Sequence, residues 1–368
     1  MPDVLIQETS ERALASAVDE LFEVFKVDLR GKRVVIKPNM LGPFDPERGV
    51  TTSPALLEAV VARVERDTSD IIVGDNPASR QSRVGAVARR TGILEASRGR
   101  FRVFEEPCRV ALRSRHVPSI HVSREFLDCD YLINLPRFKT HALTRLTGCV
   151  KNLFGIIPGG GKPALHAAAP SYRDFSELVV DVYGVRPPDL NIVDALTIME
   201  GLGPSLGPLV PYGRLISGTN GVEVDSVLAS ILSLSPSQVA MLEVAGRRGM
   251  GQVSPAALEV WGRAAPPRRL HVPLRGAALS LGNRVFDLGS KPKVMEAKCD
   301  RCRECVAVCP TGAMMDFRAG GQGAGERDTD AAKLGALGQG AEGRPRLFPR
   351  VERNDCIACY CCAEVCRP

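Results

Sequence analysis

The chain has 368 residues, 12 of them cysteine, and a formal net charge of +6. A hydrophobic fraction of 44% and a charged fraction of 24% are ordinary for a globular protein, which excludes fibrous and wholly disordered chains. The charge forms no block and aromatic residues make up only 5%, so we expect no nucleic-acid partner. The sequence has no secretory signal and no long apolar run, which predicts a cytoplasmic protein without a membrane span. Its cysteines should then be reduced.

Short apolar runs alternate with helical patterns over the first 265 residues. The predicted strands cover 33–37, 70–73, 101–104, 131–135, 190–194 and 214–217. The predicted helices cover 54–66, 83–97, 144–154, 172–182 and 222–234. This alternation predicts an α/β domain over residues 1–265, with a mostly parallel sheet and helices on both faces.

Polar residues follow several of these strands, where ligands bind in open parallel sheets. They are Lys37, Asn39, Asp75, Asn76, Lys139, Thr140, His141, Asp194, Thr219 and Asn220. Turns and helix N-termini favour the same residue types, so a purely structural role is the alternative for each. Lys139, Thr140 and His141 are the strongest candidates, because they bring a cation, a hydroxyl and a group titrating near neutral pH together. We expect Lys139 and His141 to be catalytic, with His141 donating a proton.

A second polar set lies in the predicted helix 144–154. Thr144, Thr147 and Lys151 recur at intervals of three and four residues, hence on one helical face. A solvated face is the alternative. Across both sets, we expect six residues to bind an anionic ligand: Lys37, Asn39, Asp75, Thr140, Lys151 and Asn152.

The glycine-rich segment 155–163 lacks the pattern of a phosphate-binding loop. Ile156 stands where the first glycine belongs, and Pro163 follows Lys162 in place of serine or threonine. A turn or a flexible lid is expected there. Segment 201–207 also misses the dinucleotide fingerprint, so the sequence indicates no flavin or nicotinamide site.

Pro266 and Pro267 mark a domain edge, followed by a connecting segment, 266–298. The C-terminal region then contains two cysteine runs with the spacing of bacterial two-cluster ferredoxins, in which the fourth cysteine of each run ligates the other cluster. This predicts a small α+β ferredoxin-like domain, 299–368, with two [4Fe–4S] clusters. The first cluster is assigned to Cys299, Cys302, Cys305 and Cys366. The second is assigned to Cys356, Cys359, Cys362 and Cys309.

Zinc is the alternative metal, but a zinc ribbon needs two pairs of cysteines rather than two runs of four. Cys361 is a ninth cysteine in this region, and the spacing gives it no role. The glycine-rich stretch 318–345 between the runs predicts a mobile insertion, whose length costs little loop-closure entropy.

Several motifs of the α/β region resemble the iron–sulfur-associated family known as domain of unknown function 362. They are VIKPN at 35–39, TSP at 52–54, GDNP at 74–77, NLPRFKTH at 134–141, TG at 147–148, KNLFG at 151–155, and SGTN at 217–220 with Asp225. A ferredoxin-type tail is common in that family, so the resemblance covers nearly the whole chain. It implies an iron–sulfur protein and no particular reaction, because the family has no settled general activity.

Three functions fit these observations. The first is a redox enzyme, whose clusters deliver or accept electrons for a small anionic metabolite at the strand ends. The second is an electron-transfer module without its own catalysis, whose front domain docks a redox partner protein. The third is a non-redox enzyme with structural clusters.

Overall fold

A nine-stranded sheet, built mainly of parallel pairs, organises the first part of the chain. The computed structural model describes residues 1–78, 81–141, 143–159, 161–169, 171–264, 291–316, 348–353, 355–356 and 361–366. The strands before residue 265 are β1 (Val4–Glu8), β2 (Val34–Pro38), β3 (Ile71–Val73), β4 (Pro107–Ala111), β5 (Ser119–Ser123), β6 (Tyr131–Leu135), β7 (Arg137–His141), β8 (Arg145–Thr147), β9 (Leu190–Met199), β10 (Leu209–Gly218) and β11 (Val260–Trp261). The helices there are α1 (Leu14–Val24), α2 (Pro54–Val64), α3 (Val84–Arg90), α4 (Ile93–Ala96), α5 (Glu125–Asp128), α6 (Cys149–Asn152), α7 (Gly161–Ala168), α8 (Tyr172–Tyr183), α9 (Gly221–Ile231) and α10 (Ala240–Arg247).

The sheet has the order β11-β1-β10-β9-β6-β2-β3, and β7 and β8 extend it beside β9. β2 pairs in parallel with β3 and β6, and β9 pairs in parallel with β6 and β7. Antiparallel pairs join β1 to β10, β10 to β9, and β7 to β8. β4 and β5 form a separate hairpin. The parallel centre confirms the α/β class and brings the carboxyl ends of β2, β3 and β6 to one edge.

Each face of the sheet has its own hydrophobic core, because successive side chains of a strand point to opposite faces. Val34 and Ile36 pack with α1, α2, α3 and α4 on one face. Val35 belongs to the core on the other face, with α6, α8, α9 and α10. Full burial of one such side chain contributes about 1.5–3 kcal/mol. The helices therefore cover both faces, as the sequence predicts.

Three predicted elements are wrong in detail. The helix predicted over 83–97 is divided into α3 and α4, because Gly92 between them has a φ of +70°. The strand predicted over 101–104 is reduced to an isolated bridge between Phe101 and Val73. The helix predicted over 144–154 begins only at Cys149, since 145–147 form β8. The run 139–141 follows β6, as predicted, and itself lies in a further strand, β7.

The C-terminal unit, as far as residues 291–366 are described, contains two antiparallel strands and two short α-helices. They are β12 (Met314–Asp316), β13 (Pro349–Val351), α11 (Glu304–Ala307) and α12 (Cys361–Glu364). The unit contacts the α/β domain: Arg83 pairs with Glu304, and Ser205 Oγ donates to the Ala363 carbonyl at 3.4 Å. Most of the connecting segment, the predicted insertion 318–345 and Cys359 lie outside the described residues. In the part of the chain that the structure covers, no helix has the length and apolarity needed to cross a bilayer.

Candidate functional site

A small pocket, with a cavity of about 70 Å³, lies past the carboxyl ends of β2 and β3. Its polar lining consists of Asn39, Asp75, Asn76, Lys139, His141, Thr147, Lys151, Asn152, Lys162 and His166. Val308 and Cys361 of the C-terminal unit line it from the other side. One water needs roughly 10–15 Å³ of such space, so the cavity suits a ligand of a few heavy atoms.

A buried ion pair between Lys37 and Asp75 supports one wall of the pocket. The Lys37 Nζ lies 2.7 Å from Asp75 Oδ1, and Asp75 Oδ2 accepts a hydrogen bond from the Met40 N–H at 2.9 Å. Burial lowers the pKa of Lys37, and the Asp75 carboxylate opposes that shift. A side chain on Gly155 would collide with both charged groups. This glycine therefore allows the short helical turn at Leu153–Ile156 to approach the pair.

Lys139 is held by two oxygen acceptors. Its Nζ donates to Asn39 Oδ1 at 2.8 Å and to the Val50 carbonyl at 2.7 Å. The Asn39 N–H in turn donates to Thr52 Oγ1 at 2.8 Å. The residue is 1% exposed, so water screens its charge poorly on the side of the pocket.

The turn after β7 orients the ring of His141. Its Nδ1 accepts hydrogen bonds from the backbone N–H groups of Leu143, at 3.0 Å, and Thr144, at 3.3 Å. Because both neighbours donate, the proton of the neutral ring is on Nε2. A second proton, on Nδ1, would break both bonds. The geometry therefore fixes the tautomer of the neutral ring, with its N–H group at Nε2.

A row of buried amides positions α6. Asn152 Nδ2 donates to Asn134 Oδ1 at 2.8 Å, and Asn134 Nδ2 donates to Asn191 Oδ1 at 2.9 Å. Asn191 Nδ2 ends the row on the Gly218 carbonyl at 3.3 Å. Asn134 and Asn191 are register partners on β6 and β9, so the sheet fixes the wall that carries Lys151.

The lining carries an excess of positive charge. Lys139, Lys151 and Lys162 supply three ammonium groups, whereas Asp75 is the one carboxylate among the lining residues described. Asp75 is already paired with Lys37. Within the described chain Lys151 makes no ion pair. The arrangement is therefore suited to a small anion.

Two further polar atoms at the pocket have unused hydrogen-bonding capacity. Thr147 Oγ1 and Asn76 Oδ1 are buried and have no hydrogen-bond partner among the described residues. Buried polar groups of this kind are uncommon in folded proteins and indicate a missing polar partner.

Six of the residues predicted as site residues line the pocket: Asn39, Asp75, Lys139, His141, Lys151 and Asn152. Lys37 lies behind them as the partner of Asp75. Thr140 does not line the pocket, because its hydroxyl donates to the carbonyls of Met199, at 3.3 Å, and Gly201, at 3.0 Å.

Structural roles account for two other polar residues at strand ends. Asp194 pairs with Arg137 and accepts a hydrogen bond from the Ser53 N–H at 2.7 Å, directly before α2. Asn220 caps α9 by accepting from the Val222 N–H at 2.9 Å. The structural alternative therefore holds for both.

Thr147, Lys162 and His166 line the pocket without having been predicted as ligand-binding residues. The helical pattern places Thr147 beside Lys151, but the residue lies in β8, opposite Lys139. Lys162 lies in α7 and donates to the Asn76 carbonyl, where the sequence predicts a turn or a lid. His166 stacks on Phe175 with ring centroids 4.0 Å apart. A lysine directly after three glycines is the available sequence signal for Lys162.

The thiols of the first predicted ligand set interact electrostatically in the C-terminal unit. Burial raises the pKa of Cys305 to about 11, and the nearby Cys302, Cys366 and Cys299 add to the shift. Burial likewise raises the pKa of Cys366, with Cys299 contributing. Two residues of the loop, at 301 and 303, have left-handed φ angles of 58° and 63°, as a tight wrap of three cysteines requires. Interacting thiols from two distant segments of the sequence suit a [4Fe–4S] cluster, which would bind them as thiolates.

Three members of the second set, Cys309, Cys356 and Cys362, are described. Cys309 Sγ accepts a hydrogen bond from the Met314 N–H at 3.2 Å. Hydrogen bonds to the sulfur ligands are one of the means by which proteins tune cluster potentials. The described environment of Cys309 therefore suits a cluster ligand.

The fold and these sites define an α/β protein with a strand-end pocket and an iron–sulfur tail. Two family models match the chain: "Domain of unknown function (DUF362)" at residues 34–230, and "4Fe-4S dicluster domain" at residues 298–368. The chain therefore belongs to the DUF362 family, as its motifs predict, and it is an iron–sulfur protein.

A thylakoid-associated protein of Synechocystis sp. is 32% identical over 249 residues, which are 66% of this chain and 75% of that protein. The lactate racemase apoprotein from Thermoanaerobacterium thermosaccharolyticum matches with a TM-score of 0.41 and 12% identity, over 64% of this chain and 58% of that chain. A protein from Thermotoga maritima matches with a TM-score of 0.39 and 13% identity, over 66% and 60% of the two chains. The present chain thus spans less than two thirds of the length of these two solved structures.

Proposed function

We propose that this protein is a redox enzyme in which two [4Fe–4S] clusters serve a small anionic substrate bound in the pocket. The observation that carries this proposal is a shared wall. The lysines and His141 of the α/β domain line the same cavity as Val308 and Cys361 of the C-terminal unit. Val308 directly precedes Cys309, and Cys361 directly precedes Cys362. The iron–sulfur tail therefore adjoins the place where an anion would bind.

The chain's own residues supply recognition and polarisation. Lys139 from β7, Lys151 from α6 and Lys162 from α7 attract the anion, and partial burial strengthens the attraction relative to water. His141 donates a hydrogen bond from Nε2 to a substrate oxygen, in place of the proton transfer that the sequence predicts. A neutral imidazole in such a role polarises the oxygen without changing its own charge.

When bound, a [4Fe–4S] cluster accepts or supplies single electrons. For each substrate molecule reduced by two electrons, a low-potential redox partner protein supplies two electrons and solvent supplies two protons. The C-terminal unit is the natural contact for that partner, because it contains both predicted ligand sets. No flavin or nicotinamide is needed in this balance.

A carrier without its own catalysis is the second candidate. A groove with a cavity of about 540 Å³ lies between the α/β domain and the first ligand set. Arg48, Arg83 and Arg90 line it from one side, and Asp300 and Glu304 line it from the other. In a carrier, this groove would receive the redox partner protein and the pocket would have no substrate.

A screen of small anionic oxidants distinguishes the two candidates. The protein is reconstituted with iron and sulfide under anaerobic conditions, reduced with dithionite, and mixed with each anion while the visible absorbance of the clusters is followed. Re-oxidation by one anion, slowed in His141→Ala, supports the enzyme. Re-oxidation by proteins alone, unchanged in His141→Ala, supports the carrier and contradicts the enzyme. Bound iron without any re-oxidation would instead indicate structural clusters.

We also propose a cytoplasmic location, because cysteines must be available as thiolates to take up iron. The Synechocystis relative carries a name that refers to thylakoids. Fractionation of cells into cytosol and membranes tests the proposal. Recovery of the protein with the membranes would contradict it.

A further inference from the structure

The two ligand sets adjoin different cavities. Val308 and Cys361, the neighbours of Cys309 and Cys362, line the strand-end pocket. Val365, the neighbour of Cys366, lines the larger groove instead. The pocket therefore shares its wall with the second ligand set alone, within the described part of the chain.

The pocket is incomplete without this wall. Cys361 is 6% exposed, and the Ala363 carbonyl in the same helix accepts a hydrogen bond from Ser205 Oγ, so α12 contacts the α/β domain. Thr147 and Asn76, which are 4% and 2% exposed, line the same cavity with the unpartnered Oγ1 and Oδ1 atoms. These two atoms, together with the ammonium groups, indicate a polar ligand enclosed between the two parts of the molecule.

Metal binding at the second ligand set would hold this wall in position. Cysteine ligands organise the chain around them, so metal binding and local folding share one free energy. Val308 and Cys361 are each one residue from a ligand of the second set. Loss of that set's iron would release both residues from their positions, whereas loss of the first set's iron would act on the groove.

We propose that anion binding in the pocket and iron occupancy of the second ligand set are thermodynamically coupled through Val308 and Cys361. This inference rests on the anion site of the proposed function and requires no turnover. Coupling is reciprocal in binding free energy: iron tightens anion binding, and the anion tightens iron binding by the same factor. Couplings between protein sites are typically roughly 5- to 150-fold in affinity, which is well within measurement.

Chelator challenge of the reconstituted protein tests the coupling, with inorganic phosphate as the probe. Iron release to a coloured chelator is followed with and without saturating phosphate, and phosphate affinity is measured by calorimetry. We expect phosphate to slow release of about four of the about eight irons that two cubanes contain. Val308→Ala and Cys361→Ala should each abolish this protection, while Val365→Ala, a matched neighbour of a first-set cysteine, should retain it. The two wall variants are independent, so one that fails to take up iron leaves the other informative.

Four outcomes decide the matter. Selective protection that disappears with Val308 or Cys361 supports the coupling. Protection of all the iron, or its loss in Val365→Ala as well, overturns it. Phosphate binding that requires Lys151 but protects no iron overturns the coupling and leaves the proposed anion site intact. If phosphate binding does not depend on Lys151, both the coupling and the proposed anion site are overturned.

Discussion

The α/β domain and the C-terminal unit reach a stable fold by different means. The α/β domain buries apolar side chains on both faces of its sheet. In the described C-terminal unit, the buried apolar residues are Ala313, Met314, Pro349, Cys361 and Val365. Such a small core cannot offset the entropy of ordering the chain, so the unit depends on its metal ligands. The pocket thus combines a wall that folds by itself with a wall that needs iron.

Removal of a cluster ligand should show the difference between the two units most clearly. In Cys305→Ala we expect bound iron to fall from about eight to about four per chain. The C-terminal unit should become sensitive to protease, while the unfolding midpoint of the α/β domain stays unchanged. Iron analysis and limited proteolysis measure both effects. Cys108→Ala, a half-buried cysteine in β4, is the control, and full iron content in Cys305→Ala would contradict the ligand assignment.

The buried ion pair between Lys37 and Asp75 tests the stability of the α/β domain, which forms its wall of the pocket without metal. Asp75→Asn leaves the Lys37 ammonium without its carboxylate, and breaking a buried pair in this way costs about 3–5 kcal/mol. Urea unfolding of the α/β domain measures the loss. Asp28→Asn, which breaks the exposed pair with Arg30, should leave the free energy of unfolding unchanged. An equal loss of unfolding free energy in the two variants would show that burial of the Lys37–Asp75 pair does not increase its contribution to stability.

A buried carboxyl should give this domain a pH dependence. Burial raises the pKa of Asp225 to about 7, although the N–H groups of Val150 and Cys149 oppose the shift. An unfolded aspartate ionises near pH 3.9, so the folded domain retains a proton that the unfolded chain has lost. The contribution to stability is full below about pH 4 and falls as the pH rises to about 7.

Asp225→Asn should flatten that decline. Urea unfolding at several pH values from about 5 to 8 measures the slope, which one group changes by up to about 1.4 kcal/mol per pH unit. A wild-type slope that persists in Asp225→Asn would assign the pH dependence to other groups.

The smallest effect is expected from substitution of Lys151, one of the three lysines that line the pocket. Lys151→Ala should lower the affinity for phosphate about tenfold, which is about 1.4 kcal/mol, because one of three ammonium groups is removed. Calorimetry measures the change. Lys26→Ala, at an exposed position after α1, should bind phosphate like the wild type. Unchanged affinity in Lys151→Ala would remove this residue from the site.

Local spacing explains what the sequence predicts well. Cluster ligands recur within a few residues, so the runs at 299–309 and 356–366 predict the iron–sulfur tail, and the family models confirm it. Alternating patterns likewise predict the parallel sheet. The sequence also predicts Lys139, His141 and Lys151 as site residues, because they follow or adjoin strands that meet at one edge of the sheet.

Tertiary packing determines the residue placements that the sequence does not predict. Thr147 has a helical spacing to Lys151, but pairing of β8 with β7 overrides that pattern and places it opposite Lys139. Lys162 and His166 enter the pocket from α7, and Cys361 enters from the C-terminal unit. Thr140 has the right residue type, but its hydroxyl is used by the carbonyls of Met199 and Gly201. Apart from the three glycines before Lys162, none of these placements has a signature within a short window of sequence.

The central claim is that electrons of the clusters reach an anion in the pocket. Single-turnover re-oxidation of the dithionite-reduced protein, by the anion that the screen identifies, tests it most directly. We predict that Lys151→Ala slows re-oxidation at low anion concentration, and that excess anion restores the rate, while Lys26→Ala behaves like the wild type. Equal rates in wild type, Lys151→Ala and Lys26→Ala at every concentration would contradict the claim.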